Sequence, residues 1–226
     1  MTTRPTVTAV IPALDEERTI GGVLSVCIGH PLITETIVVS DGSRDRTADI
    51  AREAGATVIA FPENRGKGAA MDAGVRAAKN GIVLFLDADV IGLTKDDLSR
   101  TVTPVIDDEK DMMILALASP FDVVNYWHPL AISGERCLRT IVWERVPPHD
   151  RRGFEIEISM NYHARRAGDR IGVVRTHTAN HVFKARKYGW RRGILADIRS
   201  VRTCLNVALK YYVVQPIFSV FSASRS

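Results

Sequence analysis

Four short apolar runs constrain this chain more than any other feature, because each is followed by a polar loop and then by residues with helical spacing. The runs are Thr6–Ile11, Thr36–Ser40, Thr57–Ala60 and Ile82–Leu86. Between them lie Thr19–Ile28, with Ile20, Val23, Leu24 and Cys27 on one side, Thr47–Ala54, capped by Asp45 or Thr47, and the alanine-rich Ala69–Lys79. Continuous apolar strands alternating with helices are the pattern of parallel strands joined by crossovers and covered on both faces. The expected class is therefore α/β. Ligands in such sheets sit beyond the carboxyl ends of the strands, so the loops after the first, second and fourth runs are expected to meet in one crevice.

The second half is less regular. Leu98–Val105 reads as a helix, Met112–Ala118 as a buried strand, and Ser133–Val146 as a helix opened by Ser133-Gly134-Glu135. Phe154–Arg166 reads as a helix ended by Gly168, Ile171–Arg175 as a late strand, and the chain from Gly189 onward as basic helix. No repeat or linker divides the chain, so residues 1–226 read as one domain. The longest apolar stretch, Leu205–Phe221, is interrupted by Asn206, Lys210, Gln215 and Pro216. It is too broken to span a bilayer and reads as a buried or interfacial terminal helix. The N-terminus has no secretory h-region, and Cys27, Cys137 and Cys204 have no CxxC spacing. The expected setting is reducing and cytoplasmic, with neither a disulfide framework nor a cysteine zinc site.

Net charge is +4, but it averages two unlike halves. Residues 1–120 carry 12 Lys/Arg against 18 Asp/Glu, and residues 121–226 carry 18 against 8. The basic run Lys184, Arg186, Lys187, Arg191, Arg192, Arg199 and Arg202 faces only Asp197. No nucleic-acid reading motif accompanies it. It suits a solvated face or an anionic membrane surface, with Tyr188 and Trp190 at the interface, and so peripheral attachment at the membrane's inner face.

Asp87-Ala88-Asp89 ends the fourth apolar run. Two carboxylates at i and i+2, where a strand emerges, can offer oxygen ligands to a hard divalent cation such as Mg²⁺ or Mn²⁺. Asp41-Gly42-Ser43 follows the second run, where Asp41 can accept from a nucleobase or ribose and Gly42 permits a tight turn. Asp15 and Glu16 follow the first. Gly66-Lys67-Gly68 puts an ammonium and backbone N–H groups at a helix start, which suits a phosphate. It is neither a P-loop nor a dinucleotide fingerprint.

Together, VIPALDEERTI, IVVSDGSRDRTADIA, NRGKGAAMDAGVRAA and IVLFLDAD resemble the nucleotide-sugar-binding half of family 2 glycosyltransferases. The likeness is strong over residues 6–90 and weaker through SGERCLR, RRGFEIEISMNYHARRAG and HVFKARKYGWRRG. Its relatives include polyprenyl-phosphate sugar transferases and glucosyl-3-phosphoglycerate synthases. It implies the GT-A fold, a Rossmann-like, mostly parallel central sheet flanked by helices. It also implies a nucleoside diphosphate sugar donor, UDP- or GDP-linked, and a divalent metal. On this resemblance Pro12, Ala13, Asp15 and Glu16 line the nucleotide, Asp41 meets the base, and Gly66, Lys67 and Ala88 lie along the donor. Asp87 and Asp89 hold ribose and metal, and His181 completes the metal shell. Residues 1–120 would form the nucleotide-sugar and metal half, and residues 121–226 the acceptor half with basic C-terminal helices.

Two acids of the second half, Glu155 and Glu157, are candidates to deprotonate an acceptor hydroxyl. Glu157 is preferred, joined by Asp89 as the metal-side catalytic residue, and a phosphate acceptor would need no base. His177, His30, His128, His149 and His163 read as loop or helix-surface residues. The acceptor itself, a lipid phosphate or a small phosphorylated molecule, is open, and a homodimer is compatible with the sequence. The competing readings are a nucleotidyltransferase, disfavoured because the first loop is PALDEE rather than glycine-rich and basic, and a catalytically silent nucleotide-binding protein.

Overall fold

The computed structural model describes residues 5–117, 133–151 and 156–181. The alternation expected over the first ninety residues forms as β1 (Val7–Ala13), α1 (Ile20–Cys27), β2 (Ile33–Asp41), α2 (Thr47–Glu53), β3 (Thr57–Phe61), α3 (Lys67–Ala77) and β4 (Ile82–Phe85). There follow β5 (Val90–Ile91), α4 (Lys95–Ile106), β6 (Met112–Ala116), β7 (Arg136–Arg139), α5 (Thr140–Glu144), α6 (Ile156–Arg166), β8 (Ile171–Arg175) and β9 (Asn180–His181). Glu155, the chain from Gly189 and the Leu205–Phe221 tail lie outside the described residues.

The main sheet has seven strands in the order β3-β2-β1-β4-β7-β6-β8. β3, β2, β1 and β4 are parallel, β7 is antiparallel to β4 and β6, and β8 is parallel to β6. β5 and β9 form a separate antiparallel ladder. The mostly parallel α/β sheet expected from the sequence is what forms. Side chains alternate across it, as a strand's period of two requires. Val7, Ala9, Ile11 and Ala13 of β1 join Val23 and Leu24 of α1 and Leu98 and Val102 of α4 in one core layer. Val10 joins Met71 of α3, Trp143 of α5 and Ile156 and Met160 of α6 in the other.

Two readings of the second half are corrected. The segment read as a helix over Ser133–Val146 splits into the strand β7 and the short helix α5. Cys137 packs into one core layer and Leu138 into the other, both fully buried, so this strand is apolar on both faces and mimics helical spacing. Pairing with β4 and β6 overrides the local propensity. His30 is not a surface residue but is buried. Its Nδ1 accepts from the Leu32 N–H at 3.2 Å, and its Nε2 stands 3.2 Å from the Lys95 carbonyl and 3.1 Å from Ser99 Oγ, which ties the α1–β2 turn to α4. Helix α4 also starts earlier than its apolar spacing indicated. Thr94 Oγ1 accepts from the Asp97 N–H and the Thr94 N–H donates to Asp97 Oδ2, each at 3.1 Å, which makes a capping box.

On the far edge, Arg170 donates to Asp108 and Asp111 and Arg139 donates to Asp108, tying β8 and β7 to the α4–β6 turn. The hydrogen bond from Arg170 holds the Asp111 carboxyl down at about 2. A depressed folded-state pKa contributes stability that is complete above the unfolded carboxylate value and is lost as pH falls toward 2. Arg170 is half exposed, so solvent screens the contribution. Asp111→Asn is therefore expected to flatten the fall in stability between about pH 4 and pH 2, read from urea midpoints across that window. A variant as steep as the native protein would rule the link out.

Candidate active site

The loops after β1 and β2 are laced together by reciprocal backbone–side-chain bonds. The Arg44 N–H donates to Asp15 Oδ1 at 2.7 Å and the Asp15 N–H donates to Ser43 Oγ at 3.2 Å. The Glu16 N–H donates to Thr47 Oγ1 at 2.7 Å, the Glu17 N–H to Asp45 Oδ2 at 3.0 Å, and the Arg46 N–H to Glu17 Oε2 at 3.1 Å. Asp15 sits in the left-handed region at φ 54°, a conformation Asp tolerates better than most residues. Thr19 Oγ1 donates to Glu16 Oε2 at 3.0 Å. Pro12 and Ala13 close β1 beside these loops.

Asp41 ends β2 and is almost fully buried. Its Oδ1 accepts from the Arg65 N–H at 2.7 Å and its Oδ2 from the Gly66 N–H at 2.9 Å. The carboxylate thus fixes the start of α3. Gly42 makes the approach possible, because at φ +76° a Cβ there would lie 2.5 Å from the Asn64 nitrogen. The turn at Gly66 then starts α3 so that Lys67 reaches inward.

Lys67 Nζ bridges Asp87 Oδ1 at 2.7 Å and Glu157 Oε1 at 2.8 Å. Burial pulls the Lys67 pKa down, but the two carboxylates outweigh it and hold the ammonium firmly protonated. Asp87 and Asp89 emerge from β4 as expected, with Ala88 buried between them. The antiparallel pairing of Phe85 with Arg136 sets Gly134 opposite Asp87. A Cβ on Gly134 would lie 2.5 Å from Asp87 Oδ2 and 2.8 Å from its Cγ.

Glu157 lies in the first turn of α6, 3% exposed, and its Oε2 has no hydrogen-bond partner among the described residues. Beneath it, Arg136 is fully buried and donates to the Ser133 carbonyl, to the Glu157 carbonyl at 3.3 Å and to Asn161 Oδ1 at 3.1 Å. Arg151 anchors the chain leading to α6. Its Nε donates to the Val146 carbonyl at 2.7 Å, its Nη1 to Asp72 Oδ1 at 2.5 Å, and its guanidinium lies 5.1 Å from the Trp143 ring centroid.

The backbone of His181 pairs with Val90, the residue after Asp89, on the β5–β9 ladder. His177 is exposed, and the stretch joining it to His181 is not helical. His149 is exposed, whereas His163 is partly buried with its Nε2 3.2 Å from Asp150 Oδ2. Among the described residues no three His, Cys, Asp or Glu side chains form a metal cluster, and no helix is long and apolar enough to cross a membrane. The structure thus brings Lys67, Asp87 and Glu157 together and sets the backbone of His181 beside Asp89. The sequence reading missed Gly134, Arg136 and Asn161. The adjacent charges Glu135-Arg136 before an apolar pair were the available signal, and the helical reading of that segment hid it.

Comparison with known proteins gives three concordant results. The model of a family described as Glycosyl transferase family 2 matches residues 8–176. A 4,4'-diaponeurosporenoate glycosyltransferase of Staphylococcus aureus is 40% identical over 100 residues, which is 42% of this chain and 27% of that relative. The crystal structure of glucosyl-3-phosphoglycerate synthase from Mycobacterium tuberculosis with phosphoglyceric acid superposes with a TM-score of 0.77 at 24% identity, covering 92% of this chain and 80% of that one. The same synthase in complex with Mn²⁺ and UDP-glucose gives a TM-score of 0.67 at 25% identity, over 79% of this chain and 71% of that one.

Proposed function

This chain belongs to glycosyl transferase family 2 and has the GT-A fold, and from that premise we propose that it transfers a sugar from a UDP-linked donor to an anionic acceptor. The observation that carries the reading is Lys67 bridging Asp87 and Glu157 at the carboxyl ends of the strands. Among the described residues, the carboxylates of Asp87, Glu157 and Glu135 stand around the two cations Lys67 and Arg136. Asp87 and Asp89, with His181 as the third ligand in this reading, would hold the cation, carboxylate oxygens being what Mg²⁺ and Mn²⁺ favour. Such a cation, when bound, supplies Lewis-acid stabilisation of charge on the leaving diphosphate. UDP is preferred to GDP because the 25%-identical synthase was crystallised with Mn²⁺ and UDP-glucose.

Each side chain then has a separate task. Pro12, Ala13, Asp15 and Glu16 line the nucleotide on the laced loops, and Asp41 acts by holding the loop that carries Gly66. Lys67 keeps Asp87 and Glu157 at a fixed separation and presents positive charge to the donor. Lys67 takes Glu157 Oε1, which leaves Oε2 to accept a hydroxyl of the bound sugar or the proton of an acceptor hydroxyl. The acceptor reading draws on the excess of Lys and Arg in residues 121–226, 18 against 8 acids. Residues 1–226 would act as one domain with donor and acceptor halves.

A thermal-shift panel tests the donor reading. UDP with Mn²⁺ is expected to raise the melting temperature, and Asp89→Ala to remove the rise. Stabilisation by nucleoside triphosphates alone would favour nucleotidyl transfer, and no response to any nucleotide would favour a silent binding protein. Co-sedimentation with anionic vesicles at low and high salt separates a lipid phosphate from a soluble phosphorylated acceptor. Binding at low salt alone is the lipid-surface result.

A further inference from the structure

The contacts around the site close into a ring. Lys67 joins Asp87 to Glu157 from the α3 side. From the opposite side, the guanidinium of Arg136 joins the segment carrying Gly134, through the Ser133 carbonyl, to the helix turn carrying Glu157, through the Glu157 carbonyl. Gly134 completes the circuit by standing against the Asp87 carboxylate. Arg136 also donates to Asn161, one turn further along α6.

We infer that Arg136 is a positioning residue, setting the gap between Asp87 and Glu157 and thereby the affinity of the site for a metal–nucleotide complex. Two features support this. Arg136 is fully buried beneath the site, where an arginine is rare unless it satisfies several acceptors. Its acceptors include the carbonyls of two segments that are distant in sequence and that meet at the site's carboxylates. A planar fork with several donors can hold two such segments at once, and a lysine's single ammonium cannot reproduce that geometry. Groups that orient metal-site carboxylates without touching the ion commonly change affinity by about ten- to a hundredfold when replaced.

The inference rests on the donor reading above, and the experiment separates the two. Free Mn²⁺ is followed by its electron paramagnetic resonance signal while UDP is titrated, or GDP if only GDP binds, for the native protein, Arg136→Lys and Asn161→Ala. Melting without ligand is recorded in parallel. Arg136→Lys is expected to fold and to bind the Mn²⁺–nucleotide complex roughly ten- to a hundredfold more weakly. Asn161→Ala, which removes one acceptor and leaves the cation, is expected to weaken it in the same direction by a smaller factor. Variants that melt lower but bind Mn²⁺ and nucleotide like the native protein would reduce Arg136 to a core residue and overturn the inference. If Arg136→Lys does not fold, Asn161→Ala decides. A native protein that binds neither nucleotide with Mn²⁺ overturns the donor reading and this inference with it.

Discussion

Gly134→Ala is expected to remove donor binding almost completely while leaving the protein folded. The added methyl would stand 2.5 Å from Asp87 Oδ2 and 2.8 Å from both Oδ1 and Cγ, so the carboxylate has to move. Gly134 is not in the left-handed region, so alanine brings no backbone strain and the effect falls on Asp87 itself. Overpacking of this kind costs about 1–3 kcal/mol of stability. The loss of Mn²⁺–UDP affinity and of transfer is expected to reach about a hundredfold, because a carboxylate shifted by an ångström no longer meets its partners. Gly22→Ala is the matched control. It lies on the exposed side of α1 with nothing within 4 Å of the new methyl, and a helix-interior glycine replaced by alanine should raise stability by about 1 kcal/mol. Calorimetric titration of both variants makes the comparison, and native-like affinity in Gly134→Ala would remove Asp87 from the site.

Lys67→Met is expected to be the most destabilising single change in the site. The Lys67 side chain is 18% exposed and its ammonium is shared by two carboxylates, one of them, Glu157, only 4% exposed at its side chain. Removing the cation leaves the two acids close together with Arg136 as their nearby positive charge among the described residues, and breaking a buried pair from one side costs about 3–5 kcal/mol. The sign of the pH dependence follows from the raised pKa of Lys67. A cation whose folded-state value lies above its ordinary one gives its full contribution throughout the neutral range and loses it only as pH rises beyond the usual lysine range. Urea unfolding at pH 7 therefore reads the whole effect. A midpoint unchanged from the native protein would mean that the bridge does not form in solution. Transfer should fall as well, because Asp87 and Glu157 lose the group that fixes their separation.

The first ninety residues were legible because each of their signals is local. Parallel strands buried on both faces read as continuous apolar runs, and each helix between them shows its own spacing. Asp87, Asp89 and Lys67 were legible for a related reason, since they sit at the ends of those runs, where this architecture gathers its loops. The register between β4 and β7 was not legible. It pairs Phe85 with Arg136 across fifty residues, and nothing local in SGERCLR announces an antiparallel strand. With that strand read as a helix, Gly134 and Arg136 lost their neighbours. Asp41 was found at the right place, but its partners, the backbone N–H groups of Arg65 and Gly66, emerge only when β2 and the start of α3 are brought together.

The sheet order has a consequence for how activity is lost. β3, β2, β1 and β4 are joined by short crossovers, whereas β7, β6 and β8 must be recruited from farther along the chain. The boundary between β4 and β7 is a seam between a locally wound half-sheet and a later-docking one. The groups proposed for the site straddle it, with Asp87 and Lys67 on one bank and Gly134, Arg136 and Glu157 on the other. Closing long-range contacts is the slow and entropically expensive part of assembly. The seam is therefore expected to zip late, and a modest opening along it to silence the enzyme while most of the first half-sheet's hydrogen bonds survive. Under mild denaturant, catalytic competence should disappear before amide protection in β1 and β2 does.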